Sequence, residues 1–451
     1  MSTGIVSMEE RNRLNNDEAA LIVMSGPDAL ENHAFADWFR QLQFDGWESF
    51  RDLPMPARTD EAWRFASVKA LDISGYTHPQ SVPEAAADEL RARSVGIAEV
   101  SGRMIFANDH LLQREVLSDD LRQAGVIFEP IEKAITEHAE IFREHFMTQD
   151  VVLGSQKFAA LHKAWVKSGT FLYIPRNLEV RLPIEVFHWL HGSGTSTFPH
   201  TLIIAGENSK VTLIDHFESA DPGAPGFSCG VNDLFLEQGA QLTYVNVQNW
   251  SREVLALQIN STVVGRDASA ISMNLNLGAS YARTESVSRL VGEGGRSDML
   301  AVSVAERDQE FDQRTLQDHQ RPNTASDLLY KNSLDDKART IFAGLIRVEP
   351  NAHKTDAYQK VRNLLLSDEA EANSMPGLEI LADEVRCTHG ATSGQIDEEE
   401  LFYMLSRGLT KQVAQKLIVF GFLNEVIGRI GNAAVEERLA TLLRAKFSAS
   451  V

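Results

Sequence analysis

The sequence predicts a mainly β protein, a central stack of β-helical coils between helical N-terminal and C-terminal regions. Three observations point to it. Hydrophobic periodicity changes from helical to strand-like near residue 170, turn-forming clusters then recur evenly as far as residue 384, and helical periodicity returns at Asp397. These changes divide the 451 residues into a helical and mixed region over 1–170, a β-helix core over 171–395 and a helical region over 396–451.

In the first region, Pro27 to Phe50, Pro83 to Arg93, Pro130 to Phe146 and Ser155 to Lys167 carry apolar residues at spacings of three and four, as Ile131, Ile135 and Ile141 do with Phe142 and Phe146. Met104 to Ala107 and Val126 to Phe128 are short β candidates between these helices. From about residue 170, Val180-Arg181-Leu182, Lys210-Val211-Thr212-Leu213-Ile214 and Gln241-Leu242-Thr243-Tyr244-Val245 alternate apolar and polar residues, as half-buried strands do. Small or polar clusters near Gly206, Ala224, Gly239, Arg252, Asp267, Ala279, Gly294, Gln309, Pro322, Asp336, Asn351, Asp368 and Glu384 mark the turns. A turn every ~15 residues makes a coil of ~30, within the repeat range of solenoids. Short, even strands without intervening helices fit a β-sandwich or a β-helix, and a sandwich of ~100 residues is about half the length of this run. Stacked coils are therefore favoured.

In the last region Asp397 stands three residues before Glu400, a capping-box-like start for a helix over Glu398 to Ser406 with Gly408 as its stop. A second helix follows Thr410, with Leu417, Phe420, Leu423, Ile427 and Ile430 on one stripe. A third follows Asn432 and carries Leu439, Leu442, Leu443 and Phe447.

With 43 Lys and Arg against 63 Asp and Glu, the net charge is −20, a field that repels nucleic-acid phosphates and anionic lipid unless a local basic patch overrides it, and no such patch stands out in the sequence. The longest apolar run, Leu417 to Leu423, is too short to span a bilayer, so no membrane insertion is expected. The opening Met1 to Glu10 lacks the basic and apolar stretches of a secretion signal, and a cytoplasmic location is expected. Two cysteines, Cys229 and Cys387, cannot supply a four-thiolate site within one chain.

No P-loop sequence occurs, so ATP binding by this chain is not expected, and His-Glu-x-x-His, Cys-x-x-Cys and Gly-x-Ser-x-Gly are absent too. Gly292-Glu293-Gly294-Gly295 begins like a dinucleotide loop, but Ser297 stands where the last glycine belongs and no helix follows. It reads as a coil turn. His188 and His191, three apart in a strand context, point to opposite faces and do not suit a shared metal. Cys387-Thr388-His389 differs, because a spacing of two on a strand aims thiol and imidazole at one face. Both groups are acceptable iron ligands, and Gly390 and Gly394 leave room for another chain or a cofactor. A cysteine in a β structure is otherwise an inert core residue, and both readings stand on the residues alone.

Asn363-Leu364-Leu365-Leu366-Ser367, Pro376, Leu378-Glu379-Ile380, the run from Ala382 through Cys387-Thr388-His389-Gly390-Ala391-Thr392, and Leu401 to Gly408 resemble the SufB/SufD family of iron–sulfur cluster assembly proteins. Lys331-Asn332-Ser333-Leu334, Phe342-Ala343-Gly344, Glu61-Ala62-Trp63-Arg64 and Gly169 to Pro175 extend the resemblance over most of the chain. Gly390 after His389, and Gly394-Gln395-Ile396-Asp397 beyond it, are similar to the SufD branch rather than the SufB branch. The resemblance implies a right-handed parallel β-helix flanked by helical domains, and a non-catalytic scaffold role. It also implies pairing with a SufB-like paralogue through the β-helix and binding of a SufC-like ATPase through the C-terminal helical region, Asp397 to Ile430. His389, with Cys387 beside it, then matches the nascent cluster site at the partner interface, which would hold a transient iron–sulfur cluster or iron. Whether the isolated chain pairs with a second copy of itself stays open at the level of sequence.

Two other classes fit parts of the sequence. A β-helix lyase or hydrolase acting on polysaccharide would need paired carboxylates, and 63 acidic residues offer no decisive pair. A homodimeric structural protein without metal would differ from the scaffold only in whether iron or an ATPase ever binds.

Overall fold

Alternating short strands whose inner faces must be buried can stack coil on coil, and they do so here. The computed structural model describes residues 21–27 and 35–449, so Met1 to Glu10 and the first part of the helix expected from Pro27 lie outside the described residues. Strands β1 (Gly102–Ala107), β2 (His110–Glu115), β3 (Ile127–Pro130), β4 (Gly169–Ile174) and β5 (Ile184–Leu190) precede β6 to β16, which cover 195–334. Strands β17 (Arg339–Val348), β18 (Asp356–Leu365), β19 (Glu371–Ile380) and β20 (Arg386–Gly394) complete a β-solenoid of about eight turns. Even-numbered strands from β8 to β20, with β5, β1 and β2, form one ten-stranded sheet. Odd-numbered strands from β7 to β19, with β6, β4 and β3, form the other. From β4 and β5 onward every pairing is parallel and free of bulges.

All thirteen expected turns fall between strands. One corner of the coil repeats a left-handed residue about every 30 positions, at Asn177, Asn208, Gly239, Asp267, Gly294, Asn323, Lys354 and Glu384. Asn and Asp tolerate that conformation and glycine has no Cβ to clash, which is why such residues punctuate the repeat. Gly294 sits at this corner, so the glycine cluster is a coil turn.

The two ends of the stack differ. At the first, β2 runs antiparallel to β1 and β3 antiparallel to β4, so each sheet ends there on an antiparallel strand. At the last, β19 pairs only with β17 and β20 only with β18, and among the described residues no strand lies beyond them.

Helices α1 (Asp37–Asp52), α2 (Glu84–Arg93), α3 (Asp119–Gln123), α4 (Ile131–Glu137), α5 (Ala139–His145) and α6 (Gln156–Trp165) pack on the capped half. Arg283, fully buried, holds this layer down. Its guanidinium lies 3.7 Å from the Trp63 ring centroid, donates to the carbonyls of Ala62 and Leu153 at 2.9 and 2.7 Å, and pairs with Glu285 and Asp312. His162 on α6 bonds the Cys229 carbonyl at 2.8 Å and His200 at 3.1 Å.

At the other side α7 (Glu398–Ser406), α8 (Lys411–Ile427) and α9 (Ala433–Ala449) follow β20. Asp397 caps α7, accepting from the amides of Glu399 and Glu400 at 2.8 and 3.1 Å, and Gly408 ends it with φ 87°. The buried face of α8 is Ala414, Val419, Leu423, Val426 and Ile427. Leu417, expected on that stripe, is instead half exposed at 50%. The helix lies on the solenoid through Val419 and Val426, which rotates Leu417 to the outside. Lys331 fastens α8 from below, donating to the Phe422 carbonyl at 2.8 Å and the Glu425 carboxylate at 2.5 Å.

Two outcomes follow from these contacts. Bonds to a charged donor are worth about 1.5–3 kcal/mol, so Lys331→Ala is expected to speed amide exchange along Lys411–Ile427 by at least about tenfold, with the capped-half strands unchanged in the same exchange experiment. Burial holds His162 at about 4 against an ordinary 6.5, so between those values the unfolded chain binds a proton that the folded chain refuses. This one group therefore contributes a fall in stability with falling pH of up to about 1.4 kcal/mol per pH unit there, and His162→Gln is expected to change the slope of unfolding free energy against pH by that share across the window.

Candidate functional site

Strand alternation fixes the inner face of the last coil. On β18 the charged Lys360 and the exposed Tyr358 face out, while Ala357, Gln359, Val361 and Asn363 face in and are buried. Strand β20 stacks on β18 residue for residue, placing Cys387 on Ala357, His389 on Gln359, Ala391 on Val361 and Ser393 on Asn363. Cys387 and His389 therefore share one face, about 7 Å apart along the strand, as their spacing requires.

No coil covers this rung among the described residues. His389 is exposed, Cys387 is half-buried, and no described residue hydrogen-bonds to the imidazole. The Cys387 side chain packs beside Ile346, Val348, Ala352 and Ala357. Burial raises its pKa, the nearby Asp356 carboxylate raises it further, and the Ala357 backbone hydrogen bond opposes both. Cys229 is the contrasting case, sealed under α6 with its thiol donating to the Phe158 carbonyl at 3.4 Å and its pKa driven up by burial. That is an inert core cysteine.

Gln359 lies directly beneath His389, and both of its amide atoms are buried without a hydrogen-bond partner. Gly344 on β17 makes the space, since a Cβ there would strike the Gln359 amide. Gly390 and Gly394 play no such part, because a Cβ on either would meet nothing in this chain. The room they leave opens outward.

The interior behind this rung is polar, which the sequence reading missed. Gln313 bonds Ser303 and Asn332 at 2.9 and 3.2 Å, Asn332 donates to Asn363 at 2.8 Å, and Asn363 reaches Ser374 and Ser393 of the last coil at 3.3 and 3.1 Å. The signal was present, because Lys360 and Arg362 mark the outward phase of β18 and so place Gln359 and Asn363 inward. His188 is buried on β5, near Asp215 at 3.6 Å, while His191 lies just beyond the strand, and the two share no site. Among the described residues no three His, Cys, Asp or Glu side chains cluster in metal-binding range.

A second feature adjoins the open end. On α7 and α8 the apolar Phe402, Tyr403, Leu405, Val413 and Leu417 are exposed, Phe402 at 73%. No helix among the described residues is long and apolar enough to cross a membrane.

The comparisons agree with this architecture. Residues 188–422 match the family described as SUF system FeS cluster assembly, SufBD core domain, and residues 27–186 match the SufBD protein N-terminal region. The chain belongs to the SufBD family of iron–sulfur cluster assembly proteins. It is SufD-like, being 30% identical over 423 residues to the iron–sulfur cluster assembly protein SufD of Bacillus subtilis, covering 92% of this chain and 95% of that protein. SufBD family proteins of Staphylococcus saprophyticus and Staphylococcus aureus are 25% identical over 397 residues, covering 86% of this chain and 84% of each relative.

Overpacking a filled interior costs about 1–3 kcal/mol. Gly344→Ala is expected to lower stability by that amount and to shift the His389 ring signals in nuclear magnetic resonance spectra, whereas Gly394→Ala leaves the melting temperature unchanged.

Proposed function

We propose that this chain is the SufD-type, non-catalytic subunit of a cytoplasmic scaffold complex in which a nascent iron–sulfur cluster is held between its last coil and a SufB-like paralogue. The observation that carries the reading is the pair Cys387 and His389 on the outermost rung of an uncapped solenoid end. Two donors cannot enclose a cluster, and thiolates from a docked partner complete the set. The free edges of β19 and β20 offer unpaired backbone groups to strands of that partner. Leu378, Ile380 and Leu381, all more than a third exposed, supply apolar contact beside them.

The cluster is cargo, and the chain's part is to bind and release it. In the free chain, burial and Asp356 keep the Cys387 thiol protonated. Arriving iron supplies the positive charge that releases the proton and makes the thiolate a ligand. His389, exposed and without a hydrogen-bond partner among the described residues, has a ring nitrogen to offer. A SufC-like ATPase docks on the exposed apolar residues of α7 and α8, and its nucleotide-driven movement shifts one solenoid end against the other. Lys331 ties α8 to the coil two rungs below the site, which gives that movement a rigid lever.

Co-expression with SufB-type and SufC-type partners is expected to give a heteromer that co-elutes in size-exclusion chromatography. His389→Ala should preserve assembly while lowering cluster formation, read by visible absorbance, by about tenfold or more. Phe402→Glu should lose the ATPase and keep the paralogue. A chain that co-elutes with neither partner, or His389→Ala with undiminished cluster formation, overturns the reading.

A further inference from the structure

Outside the terminal rung, a cleft of about 450 Å³ opens between residues 58–69 and Arg339 on β17. Its walls carry Arg58, Arg64, Lys69, Arg339 and the ring of Phe65. Arg339 is engaged by Glu310 at 3.3 Å and Glu371 at 3.4 Å. No carboxylate among the described residues pairs with Arg58, Arg64 or Lys69, and the Arg64 guanidinium stands 5.1 Å over the Phe65 ring. On a chain of net charge −20, this is a local reversal of sign.

The backbone here is strained in a specific way. Arg64 has φ −57° and ψ 133°, Phe65 has φ 68°, and the Ala66 amide closes on the Trp63 carbonyl at 3.1 Å. That is a type II turn, whose third position belongs to glycine or asparagine because a side chain at positive φ crowds its own backbone. A phenylalanine occupies it, 42% exposed. The layer beneath holds it there. Trp63 donates to the Gly154 carbonyl at 3.0 Å, Arg314 donates to the Arg64 carbonyl at 2.9 Å, and Glu310 accepts from the amide and hydroxyl of Ser67 at 2.8 and 2.6 Å. A strained, outward aromatic ring on a clamped turn, beside three unpaired cations, is the arrangement of a pre-organised ligand site rather than of a passive surface.

We propose that this cleft binds a small phosphate-bearing ligand with a planar ring, a molecule of nucleotide type. Guanidinium and ammonium groups converging on one volume match phosphate oxygens, and the exposed Phe65 ring offers a stacking face for the planar part. The cleft volume suits a single nucleotide and not a polymer.

Isothermal titration calorimetry on the full chain at low ionic strength, with ADP and inorganic pyrophosphate as separate probes, tests it. One saturable site per chain is expected for each probe, with ADP the tighter. Arg58→Glu combined with Lys69→Glu should weaken both by about tenfold or more, since each removes a charge-assisted bond. Phe65→Gly should bring ADP down to pyrophosphate and leave pyrophosphate unchanged. The side chains of Arg58 and Lys69 bond to no other described residue, so the double variant should melt as the parent does, and Arg64→Gln gives a milder second reading. Absence of saturable heat with either probe at millimolar concentration, an affinity the charge reversals leave unchanged, or ADP no tighter than pyrophosphate overturns the proposal.

Discussion

Each coil of a parallel solenoid buries its inner face only if the next coil lands in register, because a slip of one residue turns every inward side chain outward. Two devices hold that register here. The left-handed corner residue recurs once per coil and fixes where each strand begins. Inside, the amides of Asn332 and Asn363 bond from one rung to the next, so a shifted rung would leave buried polar groups unpaired. The direction of Cys387 and His389 is a consequence of this stacking.

The coil length, the turn positions and the capped start of Glu398–Ser406 were legible in the sequence because each depends on local chemistry. Turns need residues that accept positive φ, and caps need a short oxygen-bearing side chain, wherever they occur. The facing of Cys387 and His389 was legible for a similar reason, since strand alternation is a property of the backbone. Orientation on a partner surface was not. Leu417 sits on the apolar stripe of its helix, yet Val419 and Val426 meet the coil, and only the path of the preceding chain decides which side docks. The polar interior was also hidden, because Asn332, Gln313 and Gln359 read as surface residues until the phase of their strands is fixed by charged neighbours.

The two cysteines show how position sets chemistry. Cys229 lies under a helix where burial, with the Glu285 carboxylate adding to it, suppresses its thiolate. Cys387 is half-buried, and its thiol is held neutral by partial burial and one carboxylate. Solvent reaches Cys387 and does not reach Cys229. Gln359, on the rung beneath His389, is buried with neither amide atom hydrogen-bonded among the described residues.

The difference between the two ends of the stack carries a limit on assembly. A rod with adhesive edges at both tips would add subunits without end and grow into fibres. Here one tip ends on antiparallel β2 and β3 and the other on parallel β19 and β20. If strands add at the parallel tip alone, two rods meeting there use up those edges, and strand addition halts at a pair.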